Sequence, residues 1–180
     1  MASEISHPAV PLAIAAALGT TRVPPALTAA ACVASVLPDV DSVGFALGVP
    51  YGHPFGHRGF THSLVFALLV ALAGVPFSSR FGASRLAVFG VIFASAASHR
   101  ALDAMTNGGL GVAFFSPFSN ERYFLPWRNI LVSPIGVGSF LSGRGLRVLV
   151  SELVWIWTPG AFLAALGVLF RKLLLSPSTR

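Results

Sequence analysis

From Ser63 to Ser79 and again from Val148 to Phe170 the chain runs through Leu, Val, Ala and Phe, with Glu152 the one charged residue in either stretch. Runs of this kind restrict the fold more than any other feature. Hydrocarbon offers no water to backbone N–H and C=O groups, so a lipid-embedded segment must satisfy them internally, as helix. A span needs about 17–25 mostly apolar residues, and both runs are of that order. The rest of the chain agrees, with 180 residues, 54% hydrophobic content, 15 Phe and a mean hydropathy of +0.78. The sequence reads as all-α and polytopic, a single membrane-embedded domain over residues 1–180.

Pro8 to Thr20 and Val23 to Pro38 are also apolar but short for spans. Leu86 to Ala97 continues into a helix that carries His99 and Asp103. Thr158-Pro159-Gly160 predicts a kink in the last long segment. About five transmembrane or membrane-embedded helices result. Gly108 to Arg147 differs in character, mixing Phe114, Phe118, Tyr123 and Trp127 with Arg122 and Arg128, and reads as an interfacial loop. No basic residue precedes the first apolar segment, so a secretory signal is not expected. The lone Cys32 sits among alanines as a small packing residue.

The net charge of +6 is almost wholly arginine, dispersed through the connections. That distribution suits lipid headgroups and argues against stable nucleic-acid binding, which needs a clustered basic stripe. If five segments alternate, the N-terminus, residues 39–62 and residues 99–147 share one face, and Arg22, Arg80, Arg85, Arg171, Lys172 and Arg180 lie on the other. Discounting Arg58 and Arg100 as part of a site, the positive-inside rule places the first face outside the cytoplasm.

That first face collects the residues with ligand chemistry. His99 and Asp103 are four apart, so on a helix an imidazole and a carboxylate stack on one side and can reach a common cation. His57 and His62 bracket a glycine turn that can present two imidazoles, with Thr61 or Ser63 capping the next helix. Asp39 and Asp41 follow Leu37-Pro38, where a bend takes the chain out of the apolar layer. His7 stands before the first helix. Each element has a plainer reading as a helix cap or solvated turn. Together, nitrogen and oxygen donors without cysteine suit Zn²⁺, Mn²⁺ or Fe²⁺ rather than a structural thiolate zinc. His53, in a Gly/Pro-rich turn, reads as an exposed loop residue. Glu152 is a further possible ligand or a partner for Arg144 or Arg147.

Leu37-Pro38-Asp39-Val40-Asp41, His57-Arg58-Gly59-Phe60-Thr61-His62-Ser63 and His99-Arg100-Ala101-Leu102-Asp103, followed by Thr106 and Gly108, resemble the YdjM-like family of predicted membrane-bound metal-dependent hydrolases. The match runs from about residue 7 to Pro117. The resemblance implies an all-helical inner-membrane protein distantly similar to zinc-dependent phospholipase C and the fungal single-strand nucleases, which hold two or three zinc ions and cleave phosphoesters. It implies His7 as the N-terminal ligand, Asp39 or Asp41 as the first aspartate, His57 or His62 as the next histidine, and His99 with Asp103 as the helix pair. No histidine follows His99, so the third-metal ligands of the soluble enzymes have no counterpart and one or two ions are expected.

On this reading Asp41, if not a ligand, orients the attacking water as base, and Arg58 and Arg100 hold phosphate charge through forked hydrogen bonds. Arg122 and Arg128 admit a lipid headgroup. The expected substrate is a phospholipid or another phosphorylated lipid. The rivals are a metal ion transporter, a non-catalytic membrane protein in which these residues merely cap helices, and a nuclease.

Overall fold

The computed structural model describes residues 1–134, 137–141 and 143–175. Arg180, assigned above to the face opposite the site, lies outside the described residues. Six main helices appear: α1 (Ala9–Leu18), α2 (Pro25–Val36), α3 (Leu64–Gly74), α4 (Arg85–Ala104), α5 (Gly143–Glu152) and α6 (Thr158–Leu175). Pro25 opens α2, where its missing N–H is not needed. Ser63 and Ser84 cap α3 and α4, accepting from Phe66 N at 3.1 Å and Ala87 N at 3.2 Å.

Four stretches are long and apolar enough to cross a membrane: Pro25–Ala46, Leu64–Phe81, Arg85–Ala104 and Gly143–Leu174. Ala9–Leu18 is the shorter apolar helix. The protein is all-α and polytopic. Two details differ from the sequence reading. Leu37-Pro38 does not bend the chain away, because Pro38 falls early in a tight helical turn, Leu37–Ser42, that prolongs α2 toward Ala46. The irregularity in the last segment precedes Pro159, as a wide π-type turn at Leu153–Trp157. A proline crowds the carbonyl one turn back and offers it no N–H; the wide turn relieves the crowding, and the Thr158 hydroxyl donates to Leu153 O at 2.8 Å.

At 32 residues, Gly143–Leu174 is about 48 Å of helix, well beyond the roughly 30 Å hydrocarbon thickness. The surplus is α5, whose buried residues Gly145, Val148 and Glu152 form one stripe while Arg144 and Arg147 are exposed.

Helix α4 is the centre of the packing. α2 and α3 both lie against it, and α1 runs along α6. The shared core is small-residue rich, with Leu27 and Ala31 from α2, Ala67 and Ala71 from α3, and Val88 and Ile92 from α4. Lipid offers little hydrophobic drive for helix association, so close approach through small side chains supplies the contact. Gly167 shows how close: a Cβ there would stand 2.4 Å from Ala17 Cβ on α1. Leu69 and Leu72 of α3 and Phe162, Leu166 and Leu173 of α6 point outward, where bilayer would cover them.

The aromatic loop is not loosely spread over the interface. Leu64 N donates to Phe114 O and Ala113 N to Arg58 O, at 2.9 and 3.0 Å, tying the loop over the end of the bundle where α2 finishes, α3 begins and α4 finishes.

Candidate metal centre

The end of α2 delivers Asp39, the turn before α3 delivers His62, and the last two turns of α4 deliver His99 and Asp103. One ligand atom from each of the four lies within 4.8 Å of the others. His62 Nε2 stands 3.4 Å from Asp39 Oδ1 and 3.5 Å from Asp103 Oδ2. His99 Nε2 stands 3.5 and 3.9 Å from the same two oxygens. A tetrahedral ion with bonds of about 2.0–2.1 Å separates its ligands by about 3.3 Å, so these edges are the right size. Exposure is at most 3% for all four side chains.

The arrangement of protons makes the case sharper. His99 Nδ1 is 2.7 Å from Ser35 O, a carbonyl that can only accept, so this nitrogen is the donor. His62 Nδ1 faces Asp41 Oδ2 at 3.1 Å, again an acceptor. In neutral imidazoles both Nε2 atoms therefore carry lone pairs, and they face each other 2.9 Å apart. Two lone pairs at that distance require a cation between them. Burial disfavours charge on His62, but the carboxylates of Asp103, Asp39 and Asp41 around it outweigh that and push the group up to about 10.

His7 approaches from the other side. Its Nε2 lies 3.8 Å from Asp39 Oδ2 and 3.7 Å from Asp103 Oδ1, the oxygens that His62 and His99 leave over. Its ring stacks on that of His99 with centroids 3.7 Å apart. Burial, reinforced by the neighbouring His99, pushes His7 down to about 3. Both His7 nitrogens, both Asp39 oxygens and Asp103 Oδ2 are buried without a hydrogen-bond partner. Buried polar atoms are rarely left so, and a divalent ion would satisfy His7 Nε2 and the carboxylate oxygens. The donor set fits a metal.

Of the alternatives left by the sequence, His62 rather than His57 joins the four-residue group, and Asp39 rather than Asp41. Asp41 stands behind His62. Its Oδ1 takes His57 Nδ1 at 2.7 Å, and its Oδ2 takes the Thr61 hydroxyl at 2.6 Å and Arg58 N at 3.2 Å besides His62. These bonds orient His57 and His62, and the three residues form a second group whose ligand atoms lie within 4.8 Å of one another.

The arginines divide in the same way. Arg58, at φ 61°, is the one non-glycine residue with positive φ among those described, and Gly59 follows because a Cβ there would stand 2.2 Å from Pro54 O. The strained turn aims the Arg58 guanidinium inward. Nε lies 3.1 Å from Asp103 Oδ2, NH1 donates to Gly108 O and NH2 to Thr106 Oγ1. Both terminal nitrogens thus donate within the fold. Arg122 donates to the carbonyls of His57, Tyr51 and His53, and Arg128 donates to Thr106 O with its guanidinium 3.6 Å above the Phe124 ring. Both clasp the loop rather than reach the cluster. Arg100 Nε donates to His62 O at 3.1 Å, while NH1 and NH2 are buried without a hydrogen-bond partner.

The sequence reading missed the N-terminal latch. Glu152 is fully buried and accepts from Ser3 N, Ser3 Oγ and Ser6 Oγ, and Trp157 Nε1 donates to Ser6 Oγ at 3.0 Å. These bonds pin the stretch that carries His7, and Ala2 N donates to Asp103 Oδ1 at 2.7 Å. The lone acid inside an apolar run was the available signal. Ser35 acts through its carbonyl, which leaves no mark in sequence. His53 is exposed, as expected.

The model of the YdjM inner membrane protein family matches residues 1–175. Inner membrane protein YbcI of Escherichia coli (strain K12) is 44% identical over 164 residues, covering 91% of this chain and 95% of YbcI. No solved structure matches it. With four helices among the described residues long and apolar enough to cross a membrane and a match along nearly its whole length, the chain belongs to the YdjM family of inner membrane proteins.

Proposed function

We propose that the protein is a metal-dependent hydrolase of the inner membrane that cleaves a phosphoester of a phospholipid or another phosphorylated lipid. The observation that carries the proposal is the facing pair of His62 and His99 Nε2 atoms, 2.9 Å apart and flanked by two carboxylates with unmet oxygens. Histidine and carboxylate donors without cysteine are the set found in catalytic rather than structural zinc sites. Asp39, His62, His99 and Asp103, with His7, would hold one or two zinc-type ions, which would supply a water of lowered pKa and polarise a phosphoryl oxygen.

The chain's own groups do the rest. Asp41 and Ser35 O fix the two imidazoles so that Nε2 points inward. Arg58 neutralises part of the charge on Asp103. Arg100, with two free donors beside His62, binds the phosphate. The loop from Asn107 to Pro134 is tied over the same end of the bundle. By the positive-inside argument the centre faces the extracytoplasmic side.

A transporter would spread its polar groups through the depth of several helices. Here they gather at one end of α4. The test incubates detergent-purified, zinc-loaded protein with phospholipid mixed micelles, single-stranded DNA and, after reconstitution, vesicles reporting zinc uptake. The proposal expects release of a lipid phosphoester product that is lost in His99→Ala. Nuclease activity or uptake without lipid hydrolysis overturns it.

A further inference from the structure

At the end of α4 away from the metal centre, a groove of about 920 Å³ opens between α1, the α1–α2 turn and the first half of α4. We propose that it is a binding site for an anionic phospholipid of the leaflet opposite the metal centre. The site is separate from the cluster and does not rest on the hydrolase reading.

Three observations carry it. The first is depth. The groove follows α4 from Ser84 to Ala94, about 15 Å at 1.5 Å per residue, which is half of the roughly 30 Å hydrocarbon and so one leaflet. The second is polarity. Ile14, Leu18, Val91 and Ala94 line its depth, whereas Thr21, Arg22 and Ser84 lie at its mouth. An acyl chain below and a headgroup above match this order. The third is charge. Arg22 lines the mouth, and Arg80 and Arg85 sit next in sequence to the lining residues Ser79 and Ser84; all three are exposed. The six acidic residues of the chain are Glu4, Asp39, Asp41, Asp103, Glu121 and Glu152, and none belongs to the groove or its two turns. The turns meet: a Cβ on Gly82 would stand 3.8 Å from Pro24 Cγ. Three arginines with no acid among them complement a phosphate.

A second copy of the chain is the competing occupant, since Gly90 and Ala94 would allow close helix approach. A two-fold pairing through this groove would set each copy's arginines against the same arginines, and like charges at an interface disfavour it. A headgroup removes that repulsion.

The experiment is native mass spectrometry of the full chain released from detergent after incubation with equal phosphatidylglycerol and phosphatidylcholine. The expected result is one retained phosphatidylglycerol in preference to phosphatidylcholine. Basic residues near an anionic membrane surface contribute about fivefold each in binding, so Arg22→Gln alone should reduce the preference about fivefold and Arg22→Gln with Arg80→Gln and Arg85→Gln should abolish it. A Cβ at Gly90 meets nothing within 4 Å, so Gly90→Phe should fold, fill the groove and lose the bound lipid. Thermal unfolding in detergent checks that each variant is folded. Equal retention of the two lipids by the wild type overturns the proposal. So does retention unchanged in Gly90→Phe, or a dimer mass that Gly90→Phe removes.

Discussion

Asp41 meets the four-residue cluster through His62 and forms a second group with His57 and His62, so its removal separates support from ligation. The carboxylate accepts from His57 Nδ1, Thr61 Oγ1, Arg58 N and His62 Nδ1 at 2.7, 2.6, 3.2 and 3.1 Å. Asp41→Asn keeps one acceptor oxygen and turns the other into a donor. Three of the four donors converge on Oδ2, so the amide will place its oxygen there and its nitrogen toward His57, which can change tautomer. His62 then stays oriented but loses the charged partner that raises its basicity. Loss of an outer-shell partner costs about 10–100-fold in metal affinity, equivalent to about 1.4–2.7 kcal/mol. Asp41→Asn belongs at the lower end, about tenfold. Asp41→Ala frees the His62 ring as well and belongs near 100-fold. Zinc competition against a chromophoric chelator, in detergent, reads both. Affinity within about twofold of wild type in Asp41→Ala would refute the orienting role. A loss beyond about 10⁴-fold would refute it from the other side, by making Asp41 a ligand.

His62→Ala should abolish stoichiometric zinc binding while His57→Ala retains it, measured by elemental analysis of the folded variants, because only His62 has Nε2 among the ligand atoms of Asp39, His99 and Asp103. Zinc must displace the proton that hydrogen bonds hold on His62 up to about pH 10, so affinity should rise with pH by up to about tenfold per unit through neutral pH, with proton release in weakly buffered titrations; pH-independent affinity would contradict this. Glu152→Ala leaves three donors from Ser3 and Ser6 unmet and should destabilise the fold by about 3 kcal/mol, seen as a lower thermal midpoint, with proteolysis before Ala9 appearing first.

Spans, order and fold class could be read from the sequence because hydrocarbon imposes a single rule on every lipid-facing residue, and the uncharged run beginning at Ser63 obeys it plainly. The convergence of His7, Asp39, His62, His99 and Asp103 could also be read, since segment ends alternate between two faces. What the sequence left open were choices made by direction within a turn. His57 and His62, or Asp39 and Asp41, differ only in which side of a tight backbone path each side chain leaves, and the strained Arg58 together with the prolongation of α2 past Pro38 decides it. The arginines misled for a related reason. A guanidinium shows charge in sequence but not the carbonyls that use it, so Arg58 read as a phosphate ligand and Arg122 as a headgroup contact, while both donate to carbonyls within the fold. The Glu152 latch joins residues 149 apart, beyond any local pattern.

The central claim is that the buried cluster binds a divalent ion, and the direct measurement is anomalous diffraction at the zinc edge from crystals of the full chain grown with zinc. The account predicts a peak among His62 Nε2, His99 Nε2, Asp39 and Asp103, with at least one equivalent of metal per chain by elemental analysis. No peak there, with zinc below about a tenth of an equivalent after loading, would contradict it.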